Sequence, residues 1–209
     1  MSQYILLDIK LKSLKSFLSF NDRQCSFGIE DVEKKYSLGK YETLDDYENE
    51  FFHYVMHQEL AARTIYYEIT ALVEAELHRI AYPLWIKSEK YSGSKTIADL
   101  KNSANSNLKS LKIISDLKIN EVIKLIEKNY DIKILDLEGA HLLDEIREIV
   151  NAFKHRSGLV DFRKRTNDSA SVKLIEHYRA DIEKAFQAIE ATYIFFNTLW
   201  SVTEKSHHH

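Results

Sequence analysis

From Thr43 to about Trp85, apolar residues return every three or four positions, and Ile65, Ile69, Leu72, Leu77, Ile80 and Leu84 share one face. That spacing predicts a long amphipathic helix. Thr43 is placed as its N-cap, and Asp45 and Asp46 fall in the first turn, where the helix dipole favours negative charge. Pro83 should kink or end the helix, because proline lacks the N–H and collides with the preceding turn. A second amphipathic pattern covers 138–156, with Leu142, Leu143, Ile146, Ile149, Val150 and Phe153 as its apolar stripe and Gly158 placed to end it. A short helix is expected at about 119–130, with Val122, Leu125 and Ile126 inward. The last helix is expected from about Ser169 to Thr203, where Ile175, Tyr178, Ile182, Ala185, Ile189, Tyr193, Phe196 and Trp200 make a bundle seam.

The first forty residues read two ways. Ile5, Leu7, Ile9 and Leu11 alternate as in a strand, while Leu11, Leu14 and Leu18 continue at helical spacing. A lone strand would have no partner, so a helix is the reading taken, and "NDRQCSFG" (21–28) reads as a loop. The stretch 88–118 is rich in Ser, Asn and Lys and reads as a mobile insertion. The expectation is an all-α antiparallel bundle of four to five main helices. It would form a single domain over 1–206, with His207 to His209 as the start of a purification tag.

Composition supports helices: one Pro and five Gly among 209 residues leave few points at which to turn a chain. The single Cys25 excludes an internal disulfide framework and points to a reducing cytoplasm. No apolar run approaches the length of a membrane span, so no membrane partner is expected.

Charge changes the picture more, because it is uneven. Residues 29–60 hold nine carboxylates against three lysines. Residues 154–165 hold Lys154, Arg156, Arg163, Lys164 and Arg165 against Asp161 alone, a local basic cluster of the kind that contacts nucleic-acid phosphates. Cations at a helix C-terminus also complement its dipole, so the cluster has a purely structural reading too.

The same region carries the candidate chemistry. In "IREIVNAFKHRSG" (146–158), Arg147, Asn151 and His155 lie at i, i+4 and i+8. Arg offers a fixed cationic fork for phosphate, Asn an orienting amide, and His a proton donor or acceptor near neutral pH. Glu76 falls on the apolar face of the long helix, where a carboxylate is costly unless paired; Arg147, Asn151 or His155 would be its partner, and a contact with His155 would orient the imidazole. Glu74 competes for that role. The structural alternative has Arg147 paired with Asp144 or Glu148, Asn151 on the surface and Glu76 reaching water.

The stretch, late in a helical bundle, resembles the signature region of the HEPN superfamily, whose Arg–x4–6–His motif often has Asn directly after the Arg. Asn151 and His155 match the Asn-x-x-x-His part. Val150 stands where the Arg is expected, and Arg147 is separated from His155 by seven residues. The resemblance implies metal-independent RNA cleavage without a cofactor, in a defence or toxin–antitoxin setting, by a homodimer that meets a protein partner such as an antitoxin. His155 would transfer the proton, Arg147 would hold the phosphate and Asn151 would position it. It equally implies a degenerate domain that keeps only RNA or protein binding, a reading that Val150 favours. His53 and His57, at i and i+4, lack a third metal ligand at useful spacing, so no metal is expected. No Gly-rich phosphate loop, CxxC or nucleophile elbow occurs.

Overall fold

The computed structural model describes residues 3–87, 118–156 and 179–205. They form five α-helices: α1 (Gln3–Ser37), α2 (Leu44–Lys87), α3 (Ile119–Tyr130), α4 (Ala140–Arg156) and α5 (Ile182–Lys205), with a 3-10 turn at Ile134–Asp136. No strand occurs among the described residues, and the architecture is an all-α bundle. None of these helices is long and apolar enough to cross a membrane.

The central element is α2, which packs against each of the other four helices. Its 44 residues span about 65 Å. Thr43 caps it as expected, its hydroxyl accepting the Asp46 N–H at 3.2 Å. The helix then runs through Pro83 to Lys87, so the proline does not end it. Only one intrahelical hydrogen bond is forfeited there, while Ile80, Ala81 and Leu84 around it are buried in the core.

The loop expected at 21–28 does not exist, because α1 is continuous. Leu11, Leu18, Cys25 and Val32, seven residues apart, are all buried against the bundle or α2. At Gly28 the Tyr54 ring approaches so closely that an added Cβ would lie 2.3 Å from it. The glycine is there to admit a ring from the facing helix rather than to break its own. Antiparallel pairing of α1 and α2 is tied by Gln58 Nε2 donating to Asp22 at 3.1 Å and by Lys35 Nζ on Glu50 at 3.0 Å.

The core lies where the first half of α1, the second half of α2 and helices α3 to α5 meet. Tyr66, Ile69, Ile146, Phe195, Phe196 and Leu199 are among its most buried side chains. By contrast, no residue of 44–60 is buried, so the far half of the α1–α2 hairpin stands out as a two-helix arm. The last helix starts later than its apolar pattern suggests. Residues 179–181 are non-helical, and Asp181 Oδ1 accepts the Lys184 N–H at 2.7 Å as the cap of α5. Tyr193, placed in the seam by spacing, is instead 49% exposed, because the seam runs through Ala188, Thr192, Phe195 and Leu199. The expected stretch 169–178, the insertion at 88–117 and Gly158 lie outside the described residues.

Candidate functional site

Helix α4 packs its apolar stripe inward as the sequence indicates. Ile146, Ile149 and Val150 are buried, Val150 completely. The position directly before Asn151 therefore points into the core, and an arginine there would have to bury a guanidinium among apolar groups. Valine is what this packing requires.

Arg147 lies at the edge of that stripe. Its Nη2 is 2.5 Å and its Nε 3.1 Å from Oδ1 of Asp144, one turn earlier. Helical side chains lean towards the N-terminus, and this one follows the rule. It lines a cleft with Thr70, Glu74 and Leu143, whereas His155 lies about 12 Å further along the axis in the opposite direction. Asp144 neutralises the guanidinium, so of the two partners the sequence offered, Asp144 and Glu148, the geometry gives this ion pair to Asp144.

Asn151 is half-buried and His155 exposed, on the outer side of the α2–α4 seam. Neither has a hydrogen-bond or ion-pair partner among the described residues. Beside them stands a group in which Lys154 was expected from the sequence and Arg63 and Tyr67 were not. The Arg63 guanidinium carbon lies 4.2 Å from the Phe153 ring centroid and 5.8 Å from that of Tyr67. Lys154 Nζ lies 5.5 Å from the same Tyr67 ring. Two cations thus share one aromatic ring, and neither has a carboxylate partner among the described residues. Cation–π contact holds both in place while leaving their N–H groups free to meet an anion. The only sequence trace of this arrangement is Arg63 and Tyr67 at i and i+4. The contribution of Phe153 and Lys154 comes from the antiparallel docking of α4 on α2.

Glu76 does not reach this group. Its Oε2 accepts from Nε of Arg79 at 2.7 Å within α2. Glu74, the competitor, lies in the cleft with Arg147. His78 donates through Nδ1 to the Glu74 carbonyl of its own helix at 2.7 Å. His53 and His57 stack with ring centroids 4.4 Å apart, and no group of three potential metal ligands occurs among the described residues. Arg156 ends α4, with its side chain outside the described residues, as are Arg163, Lys164 and Arg165.

The site can therefore hold an anion at Arg63 and Lys154, and it sets an amide and an imidazole at the same end of α4. Compared with protein-family models, curated proteins and solved structures, the chain matches none.

Proposed function

We propose that this protein is a HEPN-like helical domain that binds RNA at the α2–α4 surface. Arg63 and Lys154 would contact phosphates, Asn151 would orient the strand, and the basic residues Arg156, Arg163, Lys164 and Arg165 would extend the contact. The observation that carries this reading is the pair of carboxylate-free cations on the Tyr67 and Phe153 rings, at the helix end that bears Asn151 and His155. Unpaired cations on aromatic rings suit a flexible, phosphate-rich strand.

Binding without turnover is the reading favoured over cleavage. A nuclease of this type needs a cation on the phosphate that His155 serves, and Arg147 is held by Asp144 on the other side. If cleavage occurs, the ribose 2′-OH attacks phosphorus and the 5′-oxygen leaves, giving a 2′,3′-cyclic phosphate and a 5′-OH. His155 would accept the 2′-OH proton, and water would protonate the leaving 5′-oxygen.

The test is anisotropy with labelled single-stranded RNA, alongside cleavage assays in EDTA. Arg63→Ala and Lys154→Ala should each weaken binding by roughly threefold to tenfold and reduce the salt slope by about one. Cyclic-phosphate products lost in His155→Ala would establish the nuclease. Absence of RNA binding at low salt would refute the proposal.

A second reading, association with another protein chain, is favoured by a different feature. Ile5, Ile9, Phe20 and Phe27 lie within about 60° of one another on the back of α1, and all are at least 46% exposed. A homodimer through this stripe would bring two copies of the α2–α4 surface into one assembly. Light scattering of Phe20→Glu beside wild type checks it, with a monomeric wild type as the adverse result.

A further inference from the structure

The cleft on the other side of Arg147 from His155 is independent of the RNA reading. It is a half-open cleft with about 50 Å³ of room for water-sized groups, between α2, α3, α4 and α5. Ile69, Leu77, Leu143 and Phe195 give it an apolar interior. Its polar groups are few: Thr70, Glu74, Asp144 and Arg147.

Their charges do not cancel. Asp144 and Arg147 neutralise each other. The Glu74 carboxylate is half-buried and has no ion-pair or hydrogen-bond partner among the described residues, so one negative charge is left over. A carboxylate left without a partner beside an apolar wall attracts a cation through charge. Thr70 adds a second unmet demand. It is 6% exposed, and its hydroxyl has no hydrogen-bond partner, although a helical threonine ordinarily reaches the carbonyl four residues back. Thr70 and Glu74 lie at i and i+4 on α2, about 6 Å apart along the axis and on one face.

We propose that this cleft is a binding site for a small organic amine. The ammonium pairs with Glu74, a slender apolar body lies against Ile69, Leu77, Leu143 and Phe195, and the Thr70 hydroxyl meets a polar atom on that body. An anionic ligand is disfavoured, because Asp144 already holds the cation that would receive it and Glu74 repels it.

Three five-carbon probes separate the terms: n-pentylamine, pentan-1-ol and pentanoate, titrated into the full chain and followed by NMR shifts of the cleft residues. The amine should bind saturably in about the millimolar range, as its size allows, and about tenfold more tightly than the alcohol. Pentanoate should be weakest. Glu74→Gln should bring the amine down to the affinity of the alcohol and leave the alcohol unchanged. Ile123→Trp, at a half-buried lining position where added bulk is tolerated, should abolish binding of both while the helical circular dichroism is retained. Failure of the amine to saturate, or equal binding to wild type and Glu74→Gln, would overturn the proposal. RNA affinity should be the same in wild type and Glu74→Gln, so failure here leaves the RNA reading standing.

Discussion

Tyr66 shows how single groups tie distant segments together. It is fully buried, and its hydroxyl both donates to the Asp181 carbonyl at 3.2 Å and accepts the Asp181 N–H at 3.1 Å. One side chain of α2 thereby fixes the chain as it enters α5. Burial pushes the phenol up to about 12. An unfolded tyrosine ionises near its ordinary value of about 10. Between the two, the unfolded chain has lost a proton that the folded one keeps, so stability is whole below about pH 10 and falls as pH rises towards 12. Tyr41 is also raised to about 12, by burial and by its bond to Glu50, and it contributes equally in a Tyr66 variant. Urea unfolding across this window should therefore show a shallower decline in Tyr66→Phe than in wild type. Near neutral pH the variant should be less stable by about 1–3 kcal/mol, the cost of stranding the Asp181 N–H. Identical slopes would contradict this account. At the same scale, the residue types of the candidate site were legible: Arg147, Asn151 and His155 stand on α4 as spacing places them. The Arg147–Asp144 pair was offered too, as one of two alternatives, but the cation that joins the site from α2 was not. Arg63 enters from another helix and lies over Phe153.

At the scale of elements, periodicity located α3 and α4 to within two residues, because their apolar stripes are strong and their ends well marked. It failed where a helix carries weak or contrary residues for tertiary reasons. Asn21 and Gly28 occupy positions of the seven-residue seam of α1 that would normally be apolar, and they made a continuous helix resemble a loop. Asn21 spends its amide on its own helix, donating Nδ2 to the Phe17 carbonyl at 2.8 Å, while the Tyr54 ring of the facing helix fills the space at Gly28. Pro83 is the parallel case in α2. Its ring removes a hydrogen bond to the Arg79 carbonyl, yet the core contacts of Ile80 and Leu84 carry the helix across. Pro83→Ala restores that bond at an exposed position and should raise stability by about 1–3 kcal/mol, read as an increase in Tm. A lower Tm would mean that the proline serves a constraint beyond the helix.

Across the whole molecule, stability is distributed unevenly. Residues 61–84 of α2 are packed on several sides, whereas nothing in 44–60 is buried. Local opening costs least where few apolar contacts must be broken. Amide hydrogen exchange should therefore divide α2 in two, with protection over 61–84 approaching the global value and that over 44–58 lower by about 2 kcal/mol or more. Uniform protection along the helix would refute the arm as a separately opening unit. The acidic residues of 29–60 belong to this arm, while Lys154 and Arg63 lie on the bundle, so the uneven charge seen in the sequence falls on two distinct surfaces.

The sequence by itself determined the all-α class, the apolar stripes of α2 to α4, the Thr43 cap and the presence of Arg147, Asn151 and His155 on one helix. These follow from local propensity and from a spacing of 3.6 residues, both of which can be read along the chain. Tertiary structure alone decided that α1 continues through 21–28, that Tyr193 leaves the seam of α5, and that Arg63 and Lys154 meet over Tyr67. Each of these depends on which face of one helix meets which face of another. That is settled by packing between residues up to about ninety positions apart, to which no local pattern is sensitive.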